Sequence, residues 1–212
     1  IDKFNSYDWL EEIMKVLVLG ASGFIGKNIV LKAPGNIELT GTYFKNEITI
    51  GNGHFEYLNY LDEGLDWKQI IESYSCIIVA ARANAESSTE RNAVSHRSKV
   101  AFTKMINAVK ESTLKPFIVA LNGSLTYGNR GEELVRTDDE INPVGFAKSY
   151  SIAEKPFRDY LTQGNEIAIV RAPWVLGPGS WFSQIYLGTN KIPIIGKGKQ
   201  WMAVVSVEDL AE

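Results

Sequence analysis

The chain has 212 residues and a hydrophobic content of 45%, enough for one large core, and its 22 Lys and Arg against 25 Asp and Glu give a formal net charge of -3. Because it has no basic tract and no apolar stretch long enough to cross a membrane, we expect neither nucleic acid nor a membrane as a partner. Its two histidines lack the spacing of metal ligands and its one cysteine, Cys76, cannot form an internal disulfide, so we expect no metal and a cytoplasmic location.

A strand followed directly by a glycine-rich turn stands near the start of the chain. Residues 15–19 have the apolar bias of a buried parallel strand, and the spacing Gly20-x-x-Gly23-x-x-Gly26 leads from it into a helical pattern at residues 24–31. Glycines at such a turn permit a tight bend, a close approach of backbone N–H groups to a pyrophosphate, and close packing of the helix on the sheet. We therefore predict a dinucleotide site with contacts from Gly20, Ser22, Gly23, Phe24, Ile25 and Gly26.

The end of the second strand bears on the choice of cofactor. Residues 37–43 have the pattern of this strand, and proteins that bind NAD usually place an acidic residue about 20 residues beyond the first glycine, where it bonds the ribose 2′-hydroxyl. Here residues 42–45 contain no acid, and Lys45 offers a positive charge for a 2′-phosphate instead. NADP is therefore predicted in preference to NAD, although a solvated loop residue explains Lys45 equally well.

Strands and helices alternate through the rest of the chain. Residues 47–50 and 54–58 flank Gly51-Asn52-Gly53, which predicts either a hairpin-like excursion or a turn into the third strand. Further strands are predicted at residues 76–81, 116–121 and 166–171, and helices at residues 66–72, 90–111 and 146–161. This alternation predicts an α/β fold with a doubly wound parallel sheet, the Rossmann fold.

Two strand ends carry candidate site residues. Ala80 and Ala81 end a buried strand at the carboxyl edge of the sheet, where ligands bind in such folds. Ser124 follows the strand at residues 116–121, and a hydroxyl at such a strand end can bond a substrate oxygen. A turn serine that satisfies local backbone groups explains Ser124 equally well.

Together these motifs resemble the NAD-dependent epimerase/dehydratase family, whose members act on nucleotide sugars and belong to the extended and atypical short-chain dehydrogenase/reductases. The glycine spacing is that of the family, and the further matches, in chain order, are Asn59-x-x-Asp62, Ala80-Ala81, residues 124–128, residues 171–179 and residues 205–211. The resemblance implies that Asn59 and Asp62 contact the adenine and that Ala80 and Ala81 lie beside the cofactor.

The catalytic pair of that family is altered in this chain. Family members carry Tyr-x-x-x-Lys on the helix after the serine strand, where the tyrosine transfers a proton and the lysine bonds the nicotinamide ribose. In the alignment that matches best, Phe146 stands at the tyrosine position and Tyr150 at the lysine position. Phenylalanine cannot exchange a proton, and general acid–base catalysis contributes about 10²–10⁴-fold to the rate of such reactions.

Two other alignments do not restore the pair. With Tyr150 as the base, Glu154 takes the place of the lysine, and with Lys148 as the lysine, Val144 takes the place of the tyrosine. Tyr150 is the proton carrier that remains nearby, unless it is simply a residue of an amphipathic helix. The predicted catalytic residues are therefore Ser124, which would polarise the substrate oxygen, and Tyr150.

The resemblance implies an NAD(P)-dependent epimerase, dehydratase or reductase, altered in activity, that acts on a nucleotide sugar or a related small hydroxyl or carbonyl compound. The alternative is a non-catalytic NADP-binding sensor or interaction module. We expect an N-terminal extension at residues 1–13, a dinucleotide-binding domain at residues 14–171, and a small or truncated substrate-binding segment at residues 172–212. The expected partners are a small-molecule substrate and a second copy of the chain in a homodimer.

Overall fold

The structure is a computed structural model that describes residues 13–51, 53–83, 85–187, 190–191, 194, 197–198 and 201–212. The predicted N-terminal extension, apart from Ile13, lies outside the described residues. The first elements are β1 (Met14–Leu19), α1 (Phe24–Lys32), β2 (Ile37–Tyr43), β3 (His54–Tyr57), α2 (Trp67–Ile71), β4 (Cys76–Val79) and α3 (Ser88–Glu111). They are followed by β5 (Phe117–Gly123), a 3₁₀ helix (Ser124–Tyr127), α4 (Ala147–Thr162), β6 (Ile167–Ala172), β7 (Trp174–Leu176), α5 (Trp181–Leu187), β8 (Val204–Ser206) and α6 (Val207–Ala211).

Six strands form one parallel sheet in the order β3-β2-β1-β4-β5-β6. The chain runs outward from β1 to β3, returns to the middle, and then runs outward in the other direction from β4 to β6. The strand order therefore reverses between β1 and β4, as in the doubly wound nucleotide-binding folds. The predicted parallel sheet of the Rossmann type is confirmed.

The hairpin considered for residues 47–58 is wrong. Thr40 to Tyr43 of β2 pair in parallel with His54 to Tyr57 of β3, and residues 47–50 form no strand. A parallel partner has to start at the same edge of the sheet as β2, so the connection crosses back over the sheet instead of reversing in a tight turn. The other expectation, a turn into the third strand, is correct.

Alternate residues of β1 face opposite sides of the sheet and enter two separate cores. Leu17 and Leu19 pack with α2, α3 and α4 on one side, and Val16 and Val18 pack with α1 on the other. Each fully buried Leu or Val contributes about 1.5–3 kcal/mol relative to an exposed one. Burial on both faces explains why the strand is a continuous apolar run.

Helix α3 begins two residues before its predicted start because a capping motif precedes it. The Ser87 hydroxyl accepts a hydrogen bond from the Glu90 N–H at 3.1 Å, and the Glu90 carboxylate accepts one from the Glu86 N–H at 2.8 Å. The two side chains thus satisfy backbone donors at the helix start, much as in a capping box.

Among the described helices, none is long and apolar enough to cross a membrane.

The last described residues return to the glycine-rich turn. Strands β7 and β8 form a second, two-stranded parallel sheet, and α6 packs on α1. At Gly177, which follows β7, an added Cβ would lie 2.6 Å from Val207 and 3.3 Å from the ring of Phe24. Phe24 at the start of α1 is therefore held by the C-terminal segment.

Candidate functional site

The carboxyl ends of β1 and β4 meet at the point where the strand order reverses. Gly20, which directly follows β1, has a φ of +83°, and a Cβ there would lie 2.6 Å from Ala81 Cα. The Ala80 N–H donates to the Leu19 carbonyl at 3.0 Å, which joins the two strand ends. Only glycine fits both the conformation and the space at this position. In open α/β sheets, ligands bind in the crevice at this point.

The other two glycines of the turn differ in what surrounds them. A Cβ on Gly26 would lie 2.2 Å from the Gly20 carbonyl oxygen and 2.9 Å from Ala21 Cα, so this glycine lets α1 approach β1. A Cβ on Gly23 would meet only the Gly20 oxygen, at 3.2 Å, and Gly23 is exposed. Gly26 therefore serves packing, whereas Gly23 keeps the outer surface of the turn clear.

The N-terminus of α1 has backbone donors available for an anion. Its N-cap is Gly23, no side chain caps it, and its first turn contains no acidic residue. Within the turn, the Gly23 N–H donates to the Gly20 carbonyl at 3.0 Å, and the Gly20 N–H donates to the Thr42 hydroxyl at 3.0 Å. The half-buried Ser22, Phe24 and Ile25 lie at this helix start. The positive end of a helix dipole with uncapped N–H groups favours phosphate.

Three further predicted contacts lie at the same edge of the sheet, after β2 and β3. Lys45 is exposed two residues beyond β2. Asn59 Oδ1 accepts from the Leu61 N–H at 3.2 Å, and Asp62 Oδ1 accepts from the Gly64 N–H at 2.9 Å. Asn59 and Asp62 therefore order the turn after β3, and each keeps further polar atoms for a ligand.

Ser124 begins the 3₁₀ helix that follows β5 and is half-buried. The turn is held by its neighbour Thr126, which is fully buried and whose hydroxyl donates to the Gly123 carbonyl at 2.9 Å. The hydroxyl that satisfies a backbone carbonyl of this turn is therefore that of Thr126. The Ser124 hydroxyl lies at the carboxyl edge of the sheet.

Tyr150 contacts both an aromatic ring and a cation. Phe146, 41% exposed, packs its ring on Tyr150 at a centroid distance of 5.5 Å and an angle of 60°. The guanidinium carbon of Arg82 lies 4.5 Å from the centroid of the Tyr150 ring. Arg82 directly follows Ala81, so the stack links the end of β4 to the start of α4. We call Arg82, Tyr150 and Phe146 the Arg–Tyr–Phe stack.

A buried carboxylate on α4 fixes this helix to the sheet. Glu154, 3% exposed, accepts from Arg171 Nη2 at 2.6 Å, from Arg158 Nη1 at 3.0 Å and from the amide of Asn122. Arg171 Nη1 also donates to the Tyr127 hydroxyl at 3.0 Å. Burial alone would lower the pKa of Arg171, but the hydrogen bond and charge of Glu154 outweigh it and the pKa is raised. The network fastens α4 to β5 and β6.

A buried tyrosine holds the segment that carries Arg82. The Tyr60 hydroxyl accepts from the Ala83 N–H at 3.0 Å and shares a hydrogen bond with the Ser98 hydroxyl at 3.0 Å. Burial raises the pKa of Tyr60, although both hydrogen bonds act in the opposite direction. Tyr60 therefore ties the end of β4 to α3 with its proton in place.

Sequence reasoning singled out the glycines, Ser124 and Tyr150 but not the groups that support them. The sequence does place Arg82 at the carboxyl edge of the sheet, because Arg82 directly follows the predicted strand end at Ala81. Its contact with Tyr150 joins residues far apart in the chain, and no local pattern indicates it. The same holds for Thr42 beneath Gly20 and for Tyr60. The described residues contain no group of three or more His, Cys, Asp or Glu side chains able to hold a metal ion.

Known proteins resemble this chain in sequence and in fold. An uncharacterized protein of Sinorhizobium fredii is 22% identical over 228 residues, and the match covers 93% of this chain and 62% of that protein. A mutant UDP-glucuronic acid 4-epimerase from Bacillus cereus, in complex with UDP-4-deoxy-4-fluoro-glucuronic acid and NAD, superposes with a TM-score of 0.76 at 18% identity, covering 93% of this chain and 71% of that one.

A second solved structure has the same fold. The dTDP-glucose 4,6-dehydratase from Streptomyces venezuelae, with NAD and TYD bound, has a TM-score of 0.76 at 17% identity, covering 93% of this chain and 70% of that one. The model of the NAD dependent epimerase/dehydratase family matches residues 16–212. This match covers nearly the whole sheet, the glycine-rich turn and the C-terminal motif. The chain therefore belongs to the NAD dependent epimerase/dehydratase family.

Proposed function

We propose that this chain binds NAD(P) at the carboxyl ends of β1 and β4 and acts on a nucleotide sugar, or on a related small hydroxyl or carbonyl compound, as an epimerase, dehydratase or reductase. The observation that carries the proposal is the uncapped start of α1 beside the contact of Gly20 with Ala81. A pyrophosphate fits there because no side chain caps the first backbone donors of α1 and Gly23 leaves room. The solved structures similar in fold include complexes with NAD and with UDP sugars.

Separate residues would bind the cofactor and act on the substrate. The turn from Gly20 to Gly26 would hold the pyrophosphate, and Ala80 and Ala81 would lie beside the cofactor. When bound, NAD(P) supplies a site that accepts or gives up a hydride. Ser124 would bond the reacting substrate oxygen, and the Tyr150 hydroxyl would give or take its proton.

For the choice between the two dinucleotides, we propose NADP. Lys45 supports this choice, since it is exposed beyond β2 and no acidic residue follows that strand before Glu47. A lysine favours a 2′-phosphate, whereas a carboxylate would repel it. The two solved neighbours described above carry NAD, so the test compares both cofactors.

A second candidate function is a non-catalytic NADP-binding sensor or interaction module. The specific observation in its favour is Phe146, whose ring has no proton to exchange and which packs on Tyr150. Under this alternative the cofactor binds but no hydride moves.

The chain also spans 62% of the length of its curated relative, so residues 172–212 are proposed to form only part of a substrate-binding region.

The test is a calorimetric titration with NADP and NAD, followed by turnover assays with UDP-sugar and dTDP-sugar substrates. We expect saturable NADP binding that weakens about tenfold in Lys45→Ala, a loss typical of one charge-assisted phosphate contact. Lys68→Ala, a change of the same charge on α2, is the matched control. Failure of the chain to bind either dinucleotide would overturn the proposal. Binding without turnover on any of these substrates would favour the sensor.

We further propose a cytoplasmic protein that forms a homodimer. The composition supports the location, because its single cysteine suits a reducing compartment. Size-exclusion chromatography with light scattering would test the assembly, and a mass of one chain at all concentrations would exclude the dimer.

A further inference from the structure

The Arg–Tyr–Phe stack contains an exposed cation, Arg82, at the end of β4. Arg82 is exposed, and its guanidinium carbon lies 4.5 Å above the Tyr150 ring. Within the described residues, Arg82 forms no ion pair with an acidic side chain. A guanidinium that stacks on a ring keeps its N–H donors in the plane of its edge, free for a planar oxyanion.

Three contacts hold this cation in one place. The Tyr60 hydroxyl accepts a hydrogen bond from the N–H of Ala83, the next residue in the chain, so the backbone at Arg82 is fixed to α3. The Tyr150 ring on α4 lies under the guanidinium, and the Phe146 ring packs edge-on against the Tyr150 ring. Preorganisation of this kind reduces the entropy cost of binding an anion.

The position of Arg82 relates it to the second ligand rather than to the cofactor phosphates. Arg82 follows Ala81, which lies against Gly20, and the contact that fixes its guanidinium is with Tyr150 of α4, the proposed proton carrier. A group bound at Arg82 would therefore lie beside Tyr150, where the substrate reacts. We propose that Arg82 is an oxyanion-binding residue of the substrate site, which takes a carboxylate or phosphate of the ligand by bidentate hydrogen bonds.

This assignment rests on the proposed function and adds a substrate class to it, namely a ligand that carries an oxyanion near the reacting carbon. Two sources of the oxyanion share this chemistry, the diphosphate of a nucleotide sugar and a carboxylate on the sugar itself. The stack also separates two roles of Tyr150, because its ring supports Arg82 and its hydroxyl would transfer the proton.

The experiment measures the affinity of the NADP-saturated 212-residue chain for UDP-glucose, UDP-glucuronic acid and inorganic pyrophosphate by calorimetry. We expect Arg82→Gln to weaken binding about tenfold or more, the loss of a bidentate charged contact. A loss for UDP-glucuronic acid alone would identify the carboxylate, and an equal loss for all three probes the diphosphate. Arg136→Gln, an exposed arginine in a loop, should leave every affinity within about twofold.

Two variants of Tyr150 test the support given by its ring. Tyr150→Phe keeps the ring and should retain oxyanion binding, whereas Tyr150→Leu removes it and should weaken binding as Arg82→Gln does. Arg82→Lys, which keeps the charge without the planar fork, should recover only part of the affinity.

Several outcomes would overturn the assignment. They are unchanged affinities in Arg82→Gln, an equal effect of Arg136→Gln, and no saturable binding of any probe to the unaltered chain. An equal loss of NADP affinity in Arg82→Gln would also overturn it, since the residue would then belong to the cofactor. The proposed function is judged separately, by dinucleotide binding and substrate turnover of the unaltered chain.

Discussion

Alanine at Gly23 and at Gly26 should separate what the turn does for cofactor binding from what it does for folding. A methyl on Gly26 would lie 2.2 Å from the Gly20 carbonyl oxygen, where contacts between carbon and oxygen are normally about 3.3 Å or longer. Helix α1 would have to move away from β1 by about 1 Å, an overpacking that typically costs 1–3 kcal/mol. Because the three nearest atoms all belong to the backbone of Gly20 and Ala21 and cannot rotate away, we expect the upper end of this range, about 3 kcal/mol. Alanine in a helix recovers about 1 kcal/mol relative to glycine, so the expected net loss is about 2 kcal/mol.

The same change at Gly23 should behave differently. Its methyl would lie 3.2 Å from the nearest atom, the Gly20 oxygen, which requires a shift of only a few tenths of an ångström. Alanine is a poorer N-cap than glycine, and the expected cost is below about 1 kcal/mol. The methyl would, however, occupy the exposed surface of the turn that the pyrophosphate needs, so we expect NADP affinity to fall about tenfold.

Thermal unfolding and NADP titration of both variants distinguish the two roles. For a chain of this size, 1 kcal/mol corresponds to a change of about 2–4 °C in Tm, so Gly26→Ala should lower Tm by about 4–8 °C. Gly23→Ala should lower Tm by less than about 4 °C while losing most of its cofactor affinity. A Gly23→Ala variant that binds NADP as well as the unaltered chain would refute the reasoning about the outer surface of the turn.

Three further changes test the catalytic and structural groups. The double change Phe146→Tyr with Tyr150→Lys restores the family pair one helical turn apart, and turnover of a nucleotide sugar should rise by about 10²–10⁴-fold, with no rise arguing against the alignment. Glu154→Gln leaves the Arg171 charge buried without its counter-ion, and the free energy of unfolding from denaturant titration should fall by about 3 kcal/mol, with a loss under about 1 kcal/mol contradicting the importance of the pair. Because burial raises the pKa of Tyr60, its stabilising contribution is complete below the ordinary value of 10.0 and is lost as pH rises through the raised folded value. Unfolding free energies between about pH 8 and pH 11 should therefore fall less in Tyr60→Phe than in the unaltered chain, and parallel curves would show that Tyr60 is not the group concerned.

The sheet was predictable because each of its strands is encoded by a short stretch of neighbouring residues. Each buried strand is a short apolar run, the runs alternate with helical patterns, and parallel connections between them have one hand. The glycine spacing at Gly20, Gly23 and Gly26 also predicted where β1 ends and α1 begins. The start of α3 was missed although Ser87 and Glu90 form a recognisable capping signal, so that error came from reading the apolar pattern alone.

The support of the candidate site could not be predicted because it depends on packing between distant elements. Asn122 and Arg171 reach the same carboxylate only because they are paired across β5 and β6 in the sheet register. Arg82 meets Tyr150 only because α4 begins beside the end of β4. A sequence gives the residue types at these places, whereas the register and the packing of helices decide which of them touch.

The contacts that fix α4 do not involve the two positions aligned with the family's catalytic pair. Glu154 lies one helical turn beyond Tyr150 and anchors the helix to β5 and β6 through Asn122 and Arg171. The backbone of α4 therefore stays in register with the sheet whatever stands at Phe146 and Tyr150. The cofactor side has no such freedom, because Gly20 and Gly26 are required by backbone contacts that any Cβ would violate. Substitutions at Phe146 and Tyr150 can thus change the side chains at these positions without moving the helix, whereas a substitution at Gly20 or Gly26 has to disturb the backbone of the fold.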